Sequence, residues 1–525
     1  MAFEIAGIFK RSITIERINN ARFKTDEKCT VYVDGQPYCE TDRNVITIDG
    51  LEPDHEYEIR VKDSGSDECT AVKTQTESFL LDVRRFGAAG DGNHNDTAAI
   101  QAAIQSCPDN GTVWIPRGTY YTGPLFLKSH MTFWVDEGAV ILGDAKREHY
   151  PVLPGIIRHL YDNKKEYNLS SWEGNPLDSY ASLLTAIGVE GLDIVGRGTI
   201  DGNASNCDWW IDPKVKRVAW RPKLIFFNAC KNVRMQGLSL QNSPCWCVHP
   251  YYSDELDFLD LTIQNPPDSP NTDGFDPESC ENVRLLGTTI SVGDDCIAIK
   301  SGKLYMANAH HKETKNIVIR NCHMKNGHGS VTVGSEIAGG VRGLHVTHCI
   351  FSGTDRGVRI KTRRGRGDRS VLTDLLFENI TMNRVHMPVT VNMFYYCDPD
   401  GHSEYVQSQE PMEKDYRTPR IGSLTIRYVD CMVVDVSLVC AYGLPEAPIE
   451  KLTLEHIKAY YLPENERTPR CPIMMDNFPK LSGRSLYLKN VDRLQVNDVT
   501  IYGSADKESM LTNVNVKEIK ELNYR

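Results

Sequence analysis

No run of about 18 apolar residues occurs anywhere in this chain of 525 residues, so no transmembrane helix is expected. Positive charge is scarce: 59 Lys and Arg stand against 70 Asp and Glu, a formal net charge of -11. That balance argues against non-specific binding to nucleic acid, although a local basic cluster can still meet an anionic ligand. The opening segment also lacks the order of a secretory signal, because Glu4 interrupts the short apolar stretch and Lys10-Arg11 follows it. Zinc-like spacing is missing, since Cys245-Trp246-Cys247 has no second ligand pair, and no metal or cofactor is expected. A phosphate loop is missing too. Phe86-Gly87-Ala88-Ala89-Gly90-Asp91-Gly92 is glycine-rich, but no Lys-Ser/Thr ends it, and no Gly-x-Gly-x-x-Gly follows a strand.

What remains is the composition of a soluble globular protein, with 40% hydrophobic and 25% charged residues, long enough for one large domain and a small one. The 16 cysteines form an even set, which in a secreted protein suggests disulfides. Cys322, Cys349 and Cys431, however, fall on inward positions of the repeat described below. They read as reduced thiols packed as small hydrophobes, and the expected location is the cytoplasm. Secretion or the periplasm is the alternative if a leader was trimmed.

Residues 1–77 read as a small β-sandwich. Thr30-Val31-Tyr32-Val33 alternates like a half-buried strand, and Asp34-Gly35 and Asp49-Gly50 are turn signals. The stretch from Ile48 to Val61, with Leu51, Pro53 and Tyr57, resembles a fibronectin type III module, and the resemblance implies a tyrosine corner. Thr74-Gln75-Thr76-Glu77 reads as a polar linker. Asp96-Thr97 then offers an N-cap to a helix over Ala98–Ile104.

An internal repeat decides the fold of residues 78–525. Its unit is apolar, x, apolar, x, x, apolar, x, apolar. It reads Val233-Met235-Leu238-Leu240, then Leu256-Phe258-Leu261-Ile263, and Val283-Leu285-Thr288-Ile290 with one Thr. It recurs from Ile317, Leu344, Leu375, Leu424, Leu452 and Leu494. Short alternating strands at intervals of roughly 20–50 residues mean stacked coils, each giving two strands and a bend. The expected fold is all-β: a right-handed parallel β-helix preceded by the small sandwich. A leucine-rich repeat is disfavoured, because no helical pattern separates the strands and no regular Asn ladder is visible. Residues 145–222 do not follow the repeat and are rich in aromatics, including Trp172, Trp209, Trp210 and Trp220. Such an excursion either offers sugar-stacking platforms at a cleft or packs its own rings as a cap.

Four short motifs fall on successive coils. They are Asn271-Thr272-Asp273-Gly274-Phe275-Asp276, Gly293-Asp294-Asp295-Cys296, Gly327-His328-Gly329-Ser330 and Arg359-Ile360-Lys361. Each alone is an ordinary turn or surface pair. Equivalent positions on adjacent coils lie about 4.8 Å apart, so together they converge on one cleft. Like charges a few Å apart push one carboxyl up, so one acid keeps a proton while its neighbours stay ionised, as glycoside hydrolysis requires.

With these four motifs in order, residues 79–505 resemble glycoside hydrolase family 28, the polygalacturonases. The resemblance implies inverting hydrolysis of α-1,4-linked galacturonate in pectin, polygalacturonate or its oligomers. It implies Asp294 as the general acid and Asp273 and Asp295 as the pair that positions and deprotonates water. Inversion implies acid and base carboxyls about 6.5–9.5 Å apart. His328 would tune the acid, Arg359 and Lys361 would bind a uronate carboxylate, and Tyr395 would wall the leaving-group subsite. Arg363, Arg364, Arg366 and Arg369 are expected to steer anions or sit on the rim. The Gly-His-Gly motif favours galacturonan over rhamnogalacturonan.

Exo action from the non-reducing end is favoured, with residues 145–222 closing the cleft and the amino-terminal module narrowing it. An endo-polygalacturonase or a rhamnogalacturonan hydrolase is the alternative. A pectate lyase shares the β-helix but needs calcium and a basic residue. A non-catalytic carbohydrate-binding β-helix is the reading from another class. The expected partner is a galacturonate polymer or oligosaccharide, with no nucleic acid and no membrane, and the chain is expected to be a monomer.

Overall fold

The structure, a computed structural model, describes residues 3–162, 165–506 and 508–525. Met1 and Ala2 of the opening segment lie outside them. The first strands form two antiparallel sheets, one of three strands and one of four. Ile13, Ile15, Val31, Ile48, Ile59 and Val61 fill the space between them. The Glu52 backbone N–H donates to the Tyr57 hydroxyl at 2.8 Å, the local bond expected of a tyrosine corner.

From Leu80 onward the chain winds into a parallel β-helix, whose strands among the described residues form one hydrogen-bonded set of 29 and another of four. The helix Thr97–Ser106 covers its first coil with Ile100, Ala103 and Ile104. The sequence repeat is the register of the stack. Val233, Leu256, Val283, Ile317, Leu344, Leu375, Leu424, Leu452 and Leu494 pair in succession. Between the two strands of each unit the chain bends through a left-handed residue. That position is Gly237, Asp260, Gly287, Asn321, His348, Asn379, Tyr428, His456 and Asp498 in turn. Glycine, Asn and Asp adopt this conformation at least cost, which is why they dominate the position.

A third strand, beyond the expected two, joins the coils, as Val248–Tyr251 joins Lys231–Gln236 and Ser239–Gln241. The third sheet runs through Ile225–Asn228, Val248–Tyr251, Ile297–Ile299, Gly329–Val333, Arg356–Lys361 and Met387–Asn392. These strands are buried on both faces almost throughout, so they show no alternation for a period-2 reading to find. A short Asn ladder is also present, against expectation: Asn316 donates to Asn282, and Asn282 to Asp254, at 3.1 and 3.0 Å.

The stretch 145–222 is not one insertion. A regular coil, Leu184–Ile187, Glu190–Val195 and Thr199–Asp201, divides it. Its bend is one residue longer than in later coils, since Leu192 pairs with Val233 but Ile200 with Leu240, and this hid it from the repeat. The flanking excursions pack mostly on themselves. Tyr150, Tyr180 and Trp209 form one buried cluster, and Trp172 stacks on Trp220 at 4.7 Å.

The amino-terminal module docks on the outer face of the repeat strands. Ala6, Phe9 and Val45 meet Val195, Leu259 and Leu286 there. Arg320 and Asn321 both donate to Glu16 at 2.7 Å, and Arg22 donates to Asp430 at 2.6 Å. Among the described residues none of the module lines the cleft described next, against the expectation that the module narrows it.

Candidate active site

The four motifs meet at the leading end of the third sheet. Phe275, Ile297, Val331 and Val358 are in register on consecutive coils, which brings Asp273, Asp295 and Gly329 to one level. The backbone ties the levels together: Gly274 N–H donates to the Asp295 carbonyl at 3.0 Å, and Cys296 N–H to that of Gly329 at 2.8 Å. Asp273, Asp294, Asp295, Lys361 and Tyr395 all line one cleft. The sequence reading of these positions is thereby a description of one place.

One oxygen from each of Asp273, Asp294 and Asp295 lies within 4.8 Å of the others. This is closer than the spacing of about 6.5–9.5 Å expected for an acid and base on opposite sides of a sugar ring. The trio is close enough to grip a cation, but protein cations already face it, Arg359 and Lys361 at Asp295 and Lys300 near Asp273.

The three carboxyls are not equivalent. Asp295 is buried and accepts from Arg359 Nη1 and Lys361 Nζ, both at 2.9 Å. Burial alone would raise it, but Lys361 and Arg359 outweigh that and hold it well below the usual carboxylate range. Asp273 is pushed up to about 8, by burial first and then by the charge of Asp294. Asp294 is the carboxyl that reaches solvent, with 24% of its side chain exposed against 6% and 1% for Asp273 and Asp295. Burial raises it, yet the His328 imidazole, with Nδ1 at 3.4 Å from Oδ1, brings it below its ordinary value. His328 in turn is raised by its bond to Asp294. Asp273 is thus the raised carboxyl of the trio, and Asp294 is a lowered one beside a raised imidazole. With one oxygen of each within 4.8 Å of the others, the three carboxyls can share a proton.

Arg359 and Lys361 are both buried and both pair with Asp295, while Lys361 also lines the cleft. Lys361 also lies over the Tyr395 ring at 5.3 Å, which puts Tyr395 on the cleft wall. The later arginines do not sit on the rim as a group. Arg363, Arg364 and Arg366 are buried and paired with Asp400, Glu446 and Asp398, while Arg369 is exposed and donates to the Ala307 carbonyl. Their partners all lie more than thirty positions away in sequence, out of reach of any local pattern.

Several lining groups escaped the sequence reading. Glu173 and Lys214 reach the cleft from the two excursions and form an ion pair with each other. Trp246, Asn271, Lys300, Glu336 and Asp398 complete the walls. Lys300 carried one signal, a cation ending the apolar strand Ile297–Ile299 just beyond Asp295. Glu173 and Lys214 carried none.

Comparison with known proteins identifies the family. Residues 162–409 match the model of Glycosyl hydrolases family 28, and residues 80–147 match that of Rhamnogalacturonase A/epimerase, pectate lyase-like. The chain is 32% identical over 360 residues to a probable polygalacturonase of Arabidopsis thaliana, covering 67% of this chain and 70% of that protein. It is 31% identical over 317 residues to an endo-polygalacturonase of Pectobacterium carotovorum subsp. carotovorum, covering 57% of this chain and 72% of that one. The fold matches that of a family 28 exopolygalacturonase of Yersinia enterocolitica, with a TM-score of 0.61 at 19% identity, over 99% of this chain and 98% of the other.

Proposed function

The chain belongs to the glycosyl hydrolases of family 28, and from that premise we propose that it hydrolyses α-1,4-linked galacturonate chains. The observation that carries the reading is the convergence of Asp273, Asp294 and Asp295 in one cleft with Lys361 and Tyr395 on its wall. Asp294 is the exposed member and stands where a glycosidic oxygen can reach it. As substrate displaces water, Asp294 takes the shared proton and donates it to the leaving oxygen, and the charged His328 beside it sets when that proton is given up. Asp273, relieved of the proton, acts with Asp295 to orient and deprotonate the attacking water. Arg359 and Lys361 keep Asp295 ionised throughout, and Lys361 with Tyr395 faces the sugar at the cleft wall.

Attack by water inverts the anomeric centre, whereas attack by a carboxylate would retain it. The clamp on Asp295 supports water as the nucleophile, because a carboxylate engaged by two cations has little free electron density. Action from the chain end is supported by Glu173 and Lys214, which bring the two excursions onto the cleft. The test is a time course of products from polygalacturonate. Mono- or digalacturonate alone from the earliest points is expected, and a spread of oligomers would make the enzyme endo-acting. An unsaturated uronate product would make it a lyase.

Residues 1–77 are read as a fibronectin type III-like module on a catalytic unit of residues 78–525. The buried thiols of Cys322, Cys349 and Cys431 suit a reducing compartment, and the cytoplasm is the proposed location, which cell fractionation tests.

A further inference from the structure

Behind the trio lies a second layer of charge that the mechanism above does not use. Lys300 is 3% exposed. Its Nζ is 3.2 Å from Glu336 Oε2, 3.5 Å from Asp276 Oδ1 and 3.9 Å from Asp273 Oδ2. The indole of Trp246 lies across from the ammonium at 4.2 Å. Both carboxylate oxygens of Asp276 lack a hydrogen-bond partner although the residue is fully buried, so Lys300 is the cation that faces them. Glu336 is fixed from several sides. The Ser301 N–H donates to its carbonyl at 2.6 Å, and a Cβ placed on Gly174 would stand 2.9 Å from its side chain. Gly174 belongs to the same excursion as Glu173, so the wall of the cleft rests on the residue that holds Lys300.

From this arrangement we infer that Lys300 is a positioning residue for hydrolysis. It holds Asp273 from behind and sets how tightly the trio keeps its shared proton. The inference rests on the hydrolytic reading above. The charges around it define its sign. On its own sheet Lys300 faces Asp273 and Asp276, with Glu278, His249 and Lys223 deeper in the same layer. Glu336 comes from the next coil with Lys303 and Arg366 near it, and Asp295, on the same coil as Lys300, is held by Lys361. Arg221 and the thiols of Cys245 and Cys296 border Asp273 from the remaining sides. Lys300 is the ammonium nearest Asp273 in this set, so removing it leaves the proton of the trio held more tightly. Removing the carboxylate of Glu336 instead frees the Lys300 charge to act on Asp273, and the proton is held less tightly.

The experiment is the pH profile of kcat/KM on polygalacturonate for the full chain, comparing wild type with Lys300→Met, Lys300→Arg and Glu336→Gln. Lys300→Met should move the whole profile to higher pH by at least about one unit, as expected from losing one charge about 4 Å away in a partly screened site. Glu336→Gln should move it to lower pH, and Lys300→Arg should keep it near wild type. Opposite displacements by Lys300→Met and Glu336→Gln are the signature, because a purely structural role lowers activity without moving the profile. If Lys300→Met does not fold, Glu336→Gln and Lys300→Arg carry the test alone. Folded variants with unmoved profiles overturn the inference and leave the hydrolytic reading standing. A wild-type enzyme that cleaves no galacturonan overturns that reading instead.

Discussion

His328 Nδ1 stands 3.4 Å from Asp294 Oδ1, and each residue moves the other: the imidazole is raised and the carboxyl lowered. The expected pH behaviour follows from that pair and from Asp273. The imidazolium persists above its ordinary value of 6.5, and Asp273 keeps its proton to about 8. Activity should hold past pH 6.5 and fall near pH 8. In His328→Gln, Asp294 loses the partner that lowers it, so a second proton binds more readily and the acidic limb moves to higher pH. A tenfold to hundredfold loss in kcat is expected with it, about the scale of one general acid–base contribution. Profiles of kcat/KM for the two proteins decide the point, and an unmoved acidic limb would remove His328 from the proton economy of the site.

Asp294→Asn should abolish proton donation while leaving the cleft intact. A loss of roughly a hundredfold to ten-thousandfold in kcat is expected, with substrate binding retained. Full hydrolytic activity in this variant would be incompatible with the mechanism. The wild-type reaction, followed by proton NMR from its first turnover, should release the β anomer from the α linkage. First release of the α anomer would mean a covalent intermediate, which the short spacing of the carboxyls would then explain.

Asp295→Asn should cost stability as well as activity. The substitution leaves Arg359 and Lys361 buried without their counter-ion, and breaking a buried pair from one side costs about 3–5 kcal/mol. The pH dependence has a definite sign. The folded-state pKa of Asp295 lies below its unfolded value, so its contribution is present above about pH 4 and is lost as pH falls through the folded value. Urea unfolding of wild type and variant across that range should show the gap between them narrowing toward low pH.

Glu173→Ala combined with Lys214→Ala should open the cleft where the two excursions meet. The expected change is in mode rather than rate: longer oligomers appear early, and viscosity falls further for each new reducing end. An unchanged product pattern would mean that the chain end is selected elsewhere.

Arg364→Met tests the reassignment of the arginine run. Arg364 is 1% exposed and pairs with Glu446, so its loss should lower the unfolding free energy by about 3–5 kcal/mol. KM at the remaining activity should stay near wild type. A large rise in KM without loss of stability would return this arginine to ligand binding.

The repeat was legible because each unit must place apolar side chains in the same stack, coil after coil. Val233, Leu256, Val283 and Ile317 obey that demand in the sequence and pair in that order in space. The trio was legible for a related reason, since a coil stack turns a sequence separation of one coil into a few Å. The third strand was hidden because burial on both faces erases alternation, as in Val248–Tyr251. The coil through Leu192 and Ile200 was hidden by one extra residue at its bend.

The amino-acid sequence by itself determined the stacked architecture and which carboxyls meet, because both follow from a periodic apolar pattern and a fixed rise per coil. Only the tertiary structure decided how charge is distributed among them. Asp295 is lowered because Arg359 and Lys361 reach back to it, Asp273 is raised because it is buried beside Asp294, and Asp294 is the most exposed of the three. Those outcomes depend on desolvation and on distances between groups far apart in sequence, including Lys300, His328, Arg359 and Lys361, and no local pattern encodes either quantity.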